Sequence, residues 1–160
     1  MTWTRTSLVT LVLALVSATP ALADVTAFIG TTSTPANRTT KGLALGLTIL
    51  VIGLEFEYAS TNEEPLEGAP SLNTGMGNVL LQTPLPLMGL QPYFTTGGGV
   101  YRERLGAAQE TQLGLNTGGG VKISLLGPLR ARLDYRVFKL KGTPLHPTVH
   151  RLYAGVNFAF

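Results

Sequence analysis

The chain has 160 residues, one domain by length, with 19 glycines, 10 prolines and no cysteine. Without cysteine there is neither a disulfide framework nor a thiolate metal site. At 44% hydrophobic and 13% charged residues it is too apolar for a disordered chain and too glycine-rich for a helical bundle, and a net charge of +3 is no nucleic-acid footprint.

The first segment reads as a secretory signal. Arg5 is its lone charge, Leu8 to Val16 (LVTLVLALV) is a short apolar run, and Ala21-Leu22-Ala23 is a small-x-small cleavage site followed by Asp24. The run is too short to cross a bilayer as a helix. The sequence therefore predicts two parts: a cleaved signal over 1–23 and one domain over 24–160.

Past Ala23 the longest apolar run is Gly42 to Leu54, GLALGLTILVIGL, 13 residues. A spanning helix needs about 18 or more. Its β-branched residues, and the alternating LEFEY that ends on Tyr58, argue for strands instead. The same period of two recurs along the chain: Val25, Ala27 and Ile29; Leu43, Leu45, Leu47 and Ile49; Leu113, Leu115, Val121 and Ile123; Leu129, Ala131, Leu133, Tyr135 and Val137; Leu152, Ala154, Val156, Phe158 and Phe160. Breakers divide these segments into eight predicted strands, at roughly 24–31, 42–49, 52–60, 72–82, 90–104, 111–124, 129–141 and 148–160. Polar connections (32–40, 60–71, 104–110, 141–147) alternate with compact ones near Leu50-Val51, at TPLPLMG (83–89) and at LLGP (125–128).

One strand face is apolar and the other holds Glu55, Glu57, Glu103, Lys122, Arg130, Arg132, Asp134, Arg136 and Arg151, charges that nearly cancel. Three arginines on one strand would repel unless carboxylates lay close. A closed barrel with this face inward supplies them, because the interior of an eight-stranded barrel is narrow enough for side chains to fill. The apolar face then points outward, which suits lipid, where a closed barrel also pairs every backbone group. A lipocalin-like soluble barrel with the faces reversed would need ion pairs outside and a large apolar cavity inside. The expected fold is all-β: an eight-stranded antiparallel up-and-down transmembrane β-barrel.

Two glycine tracts, Thr96-Gly97-Gly98-Gly99-Val100 and Thr117-Gly118-Gly119-Gly120-Val121, invite a phosphate-cradle reading, but no Lys-Ser/Thr or helix follows. A hairpin turning near Ala107-Ala108 would set Gly98 opposite Gly119, letting the sheet curve and leaving room for inward Tyr93, Tyr101 or Tyr153.

QPYFTTGGGVYRERL, LGLNTGGGVKISLLGPLRARLDYRVFKL and HRLYAGVNFAF together resemble the last four strands of the small eight-stranded outer-membrane β-barrel family, of the OmpA-like and opacity-protein type. That resemblance implies a Gram-negative (diderm) outer membrane, termini and short turns in the periplasm, longer loops at the surface, and a monomer. It also implies an assembly signal in the last strand, here Tyr153, Phe158 and Phe160, read by the outer-membrane assembly machinery. The expected role is structural, narrow-pore or surface-antigen, with a lumen plugged by ion pairs, no enzyme activity and no cofactor. The alternatives are an adhesin acting through the loops and a lipopolysaccharide-modifying enzyme. For the enzyme the candidates are His146 and His150 with Ser60, Ser71 or Ser124, yet neither histidine has a serine two residues on. Arg102, Arg104, Lys139 and Lys141 have outward parity near the surface ends of their strands, where lipopolysaccharide phosphates would lie.

Overall fold

The computed structural model describes residues 22–160. The predicted signal lies outside the described residues except for Leu22 and Ala23, which open the first strand. Eight strands follow in order: β1 (Leu22–Thr32), β2 (Arg38–Ile49), β3 (Ile52–Thr61), β4 (Ser71–Gln82), β5 (Leu90–Leu105), β6 (Ala108–Leu126), β7 (Leu129–Leu140) and β8 (Thr148–Ala159). Each pairs antiparallel with the next, and β8 closes onto β1 from Asp24↔Ala159 to Thr32↔Arg151, giving one closed barrel. Closure leaves no strand edge exposed, so backbone donors and acceptors are used within the sheet.

The period-two pattern explains the two faces. Outward residues form an apolar belt: Leu54 is 59% exposed, Phe56 57% and Leu113 64%. The residues between them point inward; Glu57, Arg132 and Arg136 are wholly buried. A water-soluble barrel would carry these sets the other way round. A continuous belt of exposed Leu, Val and Phe around a closed barrel is a surface for lipid.

The two ends differ. Polar connections (33–37, 62–70, 141–147) and one tight turn lie at what we call the loop end, with a 3₁₀ turn, Pro65–Glu67, in the second. Uncharged, largely apolar connections at Leu50-Val51, 83–89 and Gly127-Pro128 form the turn end. Two expectations need correction here. The stretch 104–110 is not a long loop: Gly106 takes a left-handed φ of 58°, and β5 and β6 reverse over Gly106-Ala107 alone. That shorter turn shifts the register, so Gly98 pairs with Leu115 and Gly119 with Phe94. The tract on β5 instead faces glycine on β4, with Gly77↔Gly98 in register.

Candidate functional site

The lumen contains a chain of alternating charge. β3 contributes Glu55 and Glu57, β7 contributes Arg132, Asp134 and Arg136, and β8 contributes Arg151. In a ring of eight, β3 and β7 stand opposite each other, so their pairs cross the bore. Arg132 binds Glu55 and, at 2.9 Å, Asp134. Arg136 reaches three carboxylates: Glu55 at 2.8 Å, Asp134 at 3.0 Å and Glu57 at 3.1 Å. Glu57 also meets Arg151 at 3.4 Å. Asp134 thus sits between the two arginines of its own strand and relieves the repulsion that their spacing would cause.

Aromatic rings complete this layer. The Tyr93 hydroxyl donates to Asp134 and accepts from Arg132 Nε at 2.7 Å. The Tyr153 hydroxyl donates to Glu57 at 2.9 Å, while its ring stacks on Phe28 at 4.1 Å between centroids. The Arg132 and Arg151 guanidiniums lie 4.9 Å and 4.4 Å from the ring centroids of Tyr93 and Phe138. Inward glycines make this possible: a Cβ on Gly120 would meet the Tyr93 ring carbon Cζ at 2.7 Å.

Above and below lie further closures. On the loop side, Leu72, Met76, Tyr101, Phe138, Leu140 and Val149 form a buried apolar cluster inside the barrel. The hydroxyls of Thr32, Thr40 and Thr61 also bond one another, at 2.7, 2.8 and 3.3 Å. Toward the turn end, Lys122 Nζ donates to Asp24 Oδ2 at 2.8 Å. An ion-paired layer and an apolar layer thus stand next to each other along the bore.

Of the nine charges predicted for the lumen, six build the central chain and Lys122 stands apart with Asp24. Glu103 is buried nearer the loop end, where it accepts from Leu145 N at 3.3 Å, and forms no ion pair among the described residues. Arg130 is half-buried near the turn end and donates to Gln91 at 3.2 Å. Asp24 escaped the sequence reading because it follows the predicted cleavage site, although its even parity with Thr26 and Phe28 placed it inward.

Outside the barrel, Arg102 and Arg104 border a polar cleft of ≈ 550 Å³ together with Ser60, Asn62, Ser71 and Asn73. Arg104 lies 4.0 Å from Glu63, an exposed pair of little energetic weight. Lys139 donates to Thr148 at 2.7 Å, and Lys141 is exposed just past β7. β6 separates the two pairs, so the four cations form two stations on the rim. His150 Nδ1 shares a 2.7 Å hydrogen bond with the Tyr135 hydroxyl, and Ser71 donates to Arg104 O at 3.2 Å. Ser60 lies on β3 and Ser124 on β6, and His146 lies in the connection before β8. Phe158 on the last strand and Phe160 just past it face outward, 6.3 Å apart between ring centroids, whereas Tyr153 belongs to the lumen.

No family model matches this sequence. No curated protein matches it. Among solved structures the barrel is similar to Neisserial surface protein A, with a TM-score of 0.70 at 16% identity over 88% of this chain and 97% of that one. It is similar to the N-terminal β-barrel domain of Pseudomonas aeruginosa OprF, at 0.65 and 17%, over 88% and 100%. It is also similar to the outer membrane enzyme PagL, at 0.55 and 13%, over 84% and 98%. The fold is that of the small eight-stranded outer-membrane β-barrels. At these identities the likeness is one of architecture, and PagL belongs to an enzyme of the same architecture.

Proposed function

We propose that this chain is an integral outer-membrane protein of a Gram-negative (diderm) bacterium, a structural or surface-antigen barrel whose lumen is closed to ions and which catalyses no reaction. The loop end lies on the side of the external medium and the turn end on the periplasmic side. The observation that carries this reading is the charge chain from Arg132 to Arg151, which ties β7 and β8 to β3 across the bore, with the apolar cluster stacked beside it. Passage would require breaking several desolvated ion pairs at once, each costly to leave unpaired. In planar bilayers the folded protein should give little or no conductance beside a general porin. Large, steady channels would overturn the plug.

The rim cations support a second element of this reading, contact with lipopolysaccharide. Arg102, Arg104, Lys139 and Lys141 face outward where the apolar belt gives way to polar loops, the height of phosphate groups in the outer leaflet. Arginine binds phosphate bidentately. The cleft beside Arg102 and Arg104 adds side-chain partners for sugar hydroxyls, so this station should dominate. Replacing all four with Gln should reduce co-purifying lipopolysaccharide, the two arginines accounting for most of the loss. Unchanged retention in the quadruple variant would end the idea.

A further inference from the structure

The three turns at the turn end carry no charged side chain and are rich in exposed aliphatic ones. No Asp, Glu, Lys or Arg occurs in Thr48–Leu54, in Thr83–Leu90 or in Ile123–Leu129. Met88 is fully exposed, Leu126 83% and Leu85 72%. Ser124 N donates to Gly89 O at 2.8 Å, which holds the second and third of these turns side by side.

The backbone makes the residue choice more telling. Leu50 and Met88 occupy left-handed conformations, with φ of 56° and 53°. Water-facing turns use Gly, Asn or Asp at such positions, which accept the conformation and hydrate well. Here two apolar side chains bear the strain and point away from the barrel. The three turns join β2 to β3, β4 to β5 and β6 to β7, so they are spaced around the circumference. A protein partner would cover one side of such a ring, whereas a lipid leaflet meets all of it. The patch also runs without a break into the belt through Ile52, Leu81, Leu90 and Leu129.

We infer that the turns do not stand in the periplasm but seat within the inner, phospholipid leaflet of the outer membrane, at the boundary between headgroups and acyl chains. Leu50, Leu85, Met88 and Leu126 are the anchoring side chains. This rests on the membrane reading above and adds the depth at which the barrel sits. Apolar turns add at this end to the anchoring supplied by the outward rings of Phe158 and Phe160.

Because the chain has no cysteine, single probes are direct. Met88→Cys and Leu126→Cys would carry an environment-sensitive fluorophore, with Phe56→Cys as the mid-belt reference and Leu66→Cys as the loop reference. Each variant is folded into phosphatidylcholine vesicles containing lipids spin-labelled near the headgroup or deep in the chain. The expected result is strong quenching of the Met88 and Leu126 probes by the shallow spin label, with iodide quenching several-fold weaker than at Leu66. Iodide quenching equal to that at Leu66, with Phe56 still quenched by the deep label, would overturn the inference and leave the membrane barrel standing. An iodide-accessible Phe56 probe would overturn both. Probes exposed in vesicles yet shielded in native envelopes would assign the turns to a protein partner and likewise overturn the leaflet.

Discussion

Arg136 is the residue on which the plug turns. Among the described residues it alone touches Glu55, Glu57 and Asp134, and so joins the Arg132 half of the charge chain to the Arg151 half. Arg151, by contrast, has among the described residues a single carboxylate at 3.4 Å, and its Nε and Nη2 have no hydrogen-bond partner there. Arg136→Met should therefore destabilise the folded barrel by about 3–5 kcal/mol, the cost of breaking a buried pair from one side. Arg151→Met should cost distinctly less. Urea unfolding of both variants in vesicles checks the order, and equal losses would contradict it. Much of this chemistry was legible residue by residue, since parity alone turned Glu55, Glu57, Arg132, Asp134, Arg136 and Arg151 inward. Which carboxylate meets which arginine was not. Glu55 and Arg132 are joined across the bore, an arrangement fixed by closure and strand stagger rather than by neighbours in sequence.

At the scale of strands, glycine position decides which pairs can form. Inward Gly99 lies against β4, where an added Cβ would meet Met76 Cα at 2.8 Å and Gly75 C at 2.9 Å, both backbone atoms that cannot step aside. Gly75 has nothing within 4 Å of an added Cβ. Gly99→Ala should lower the folded fraction sharply and Gly75→Ala should leave it near that of the parent, as read by refolding yield on gels; similar yields would refute the packing account. The strands themselves follow from the period of two: all eight are present in the predicted order, although β2 begins at Arg38 rather than at Gly42 and β6 runs from Ala108 to Leu126 rather than over 111–124. The stretch 104–110 misled because Arg104, Gln109 and Glu110 have the composition of a loop. In the barrel they are solvated ends of long strands, and the turn needs only the left-handed Gly106. The glycine pairing went astray with it, because register propagates from the turn.

For the whole molecule, the ordering of surfaces is the account: paired charges inside, aliphatic side chains around the wall, polar loops at one end and uncharged turns at the other. Each is consistent with a membrane and none with water on the outer wall. This level was legible because an inverted charge pattern on alternating strands has only one environment that suits it. The most direct test is heat-modifiable migration of the protein in the outer-membrane fraction. A closed, membrane-inserted barrel keeps its compact shape in detergent at room temperature and unfolds on boiling, so the account predicts a fast band that shifts to slower migration after heating. A single unshifting band, or recovery of the protein in the soluble fraction, would contradict it.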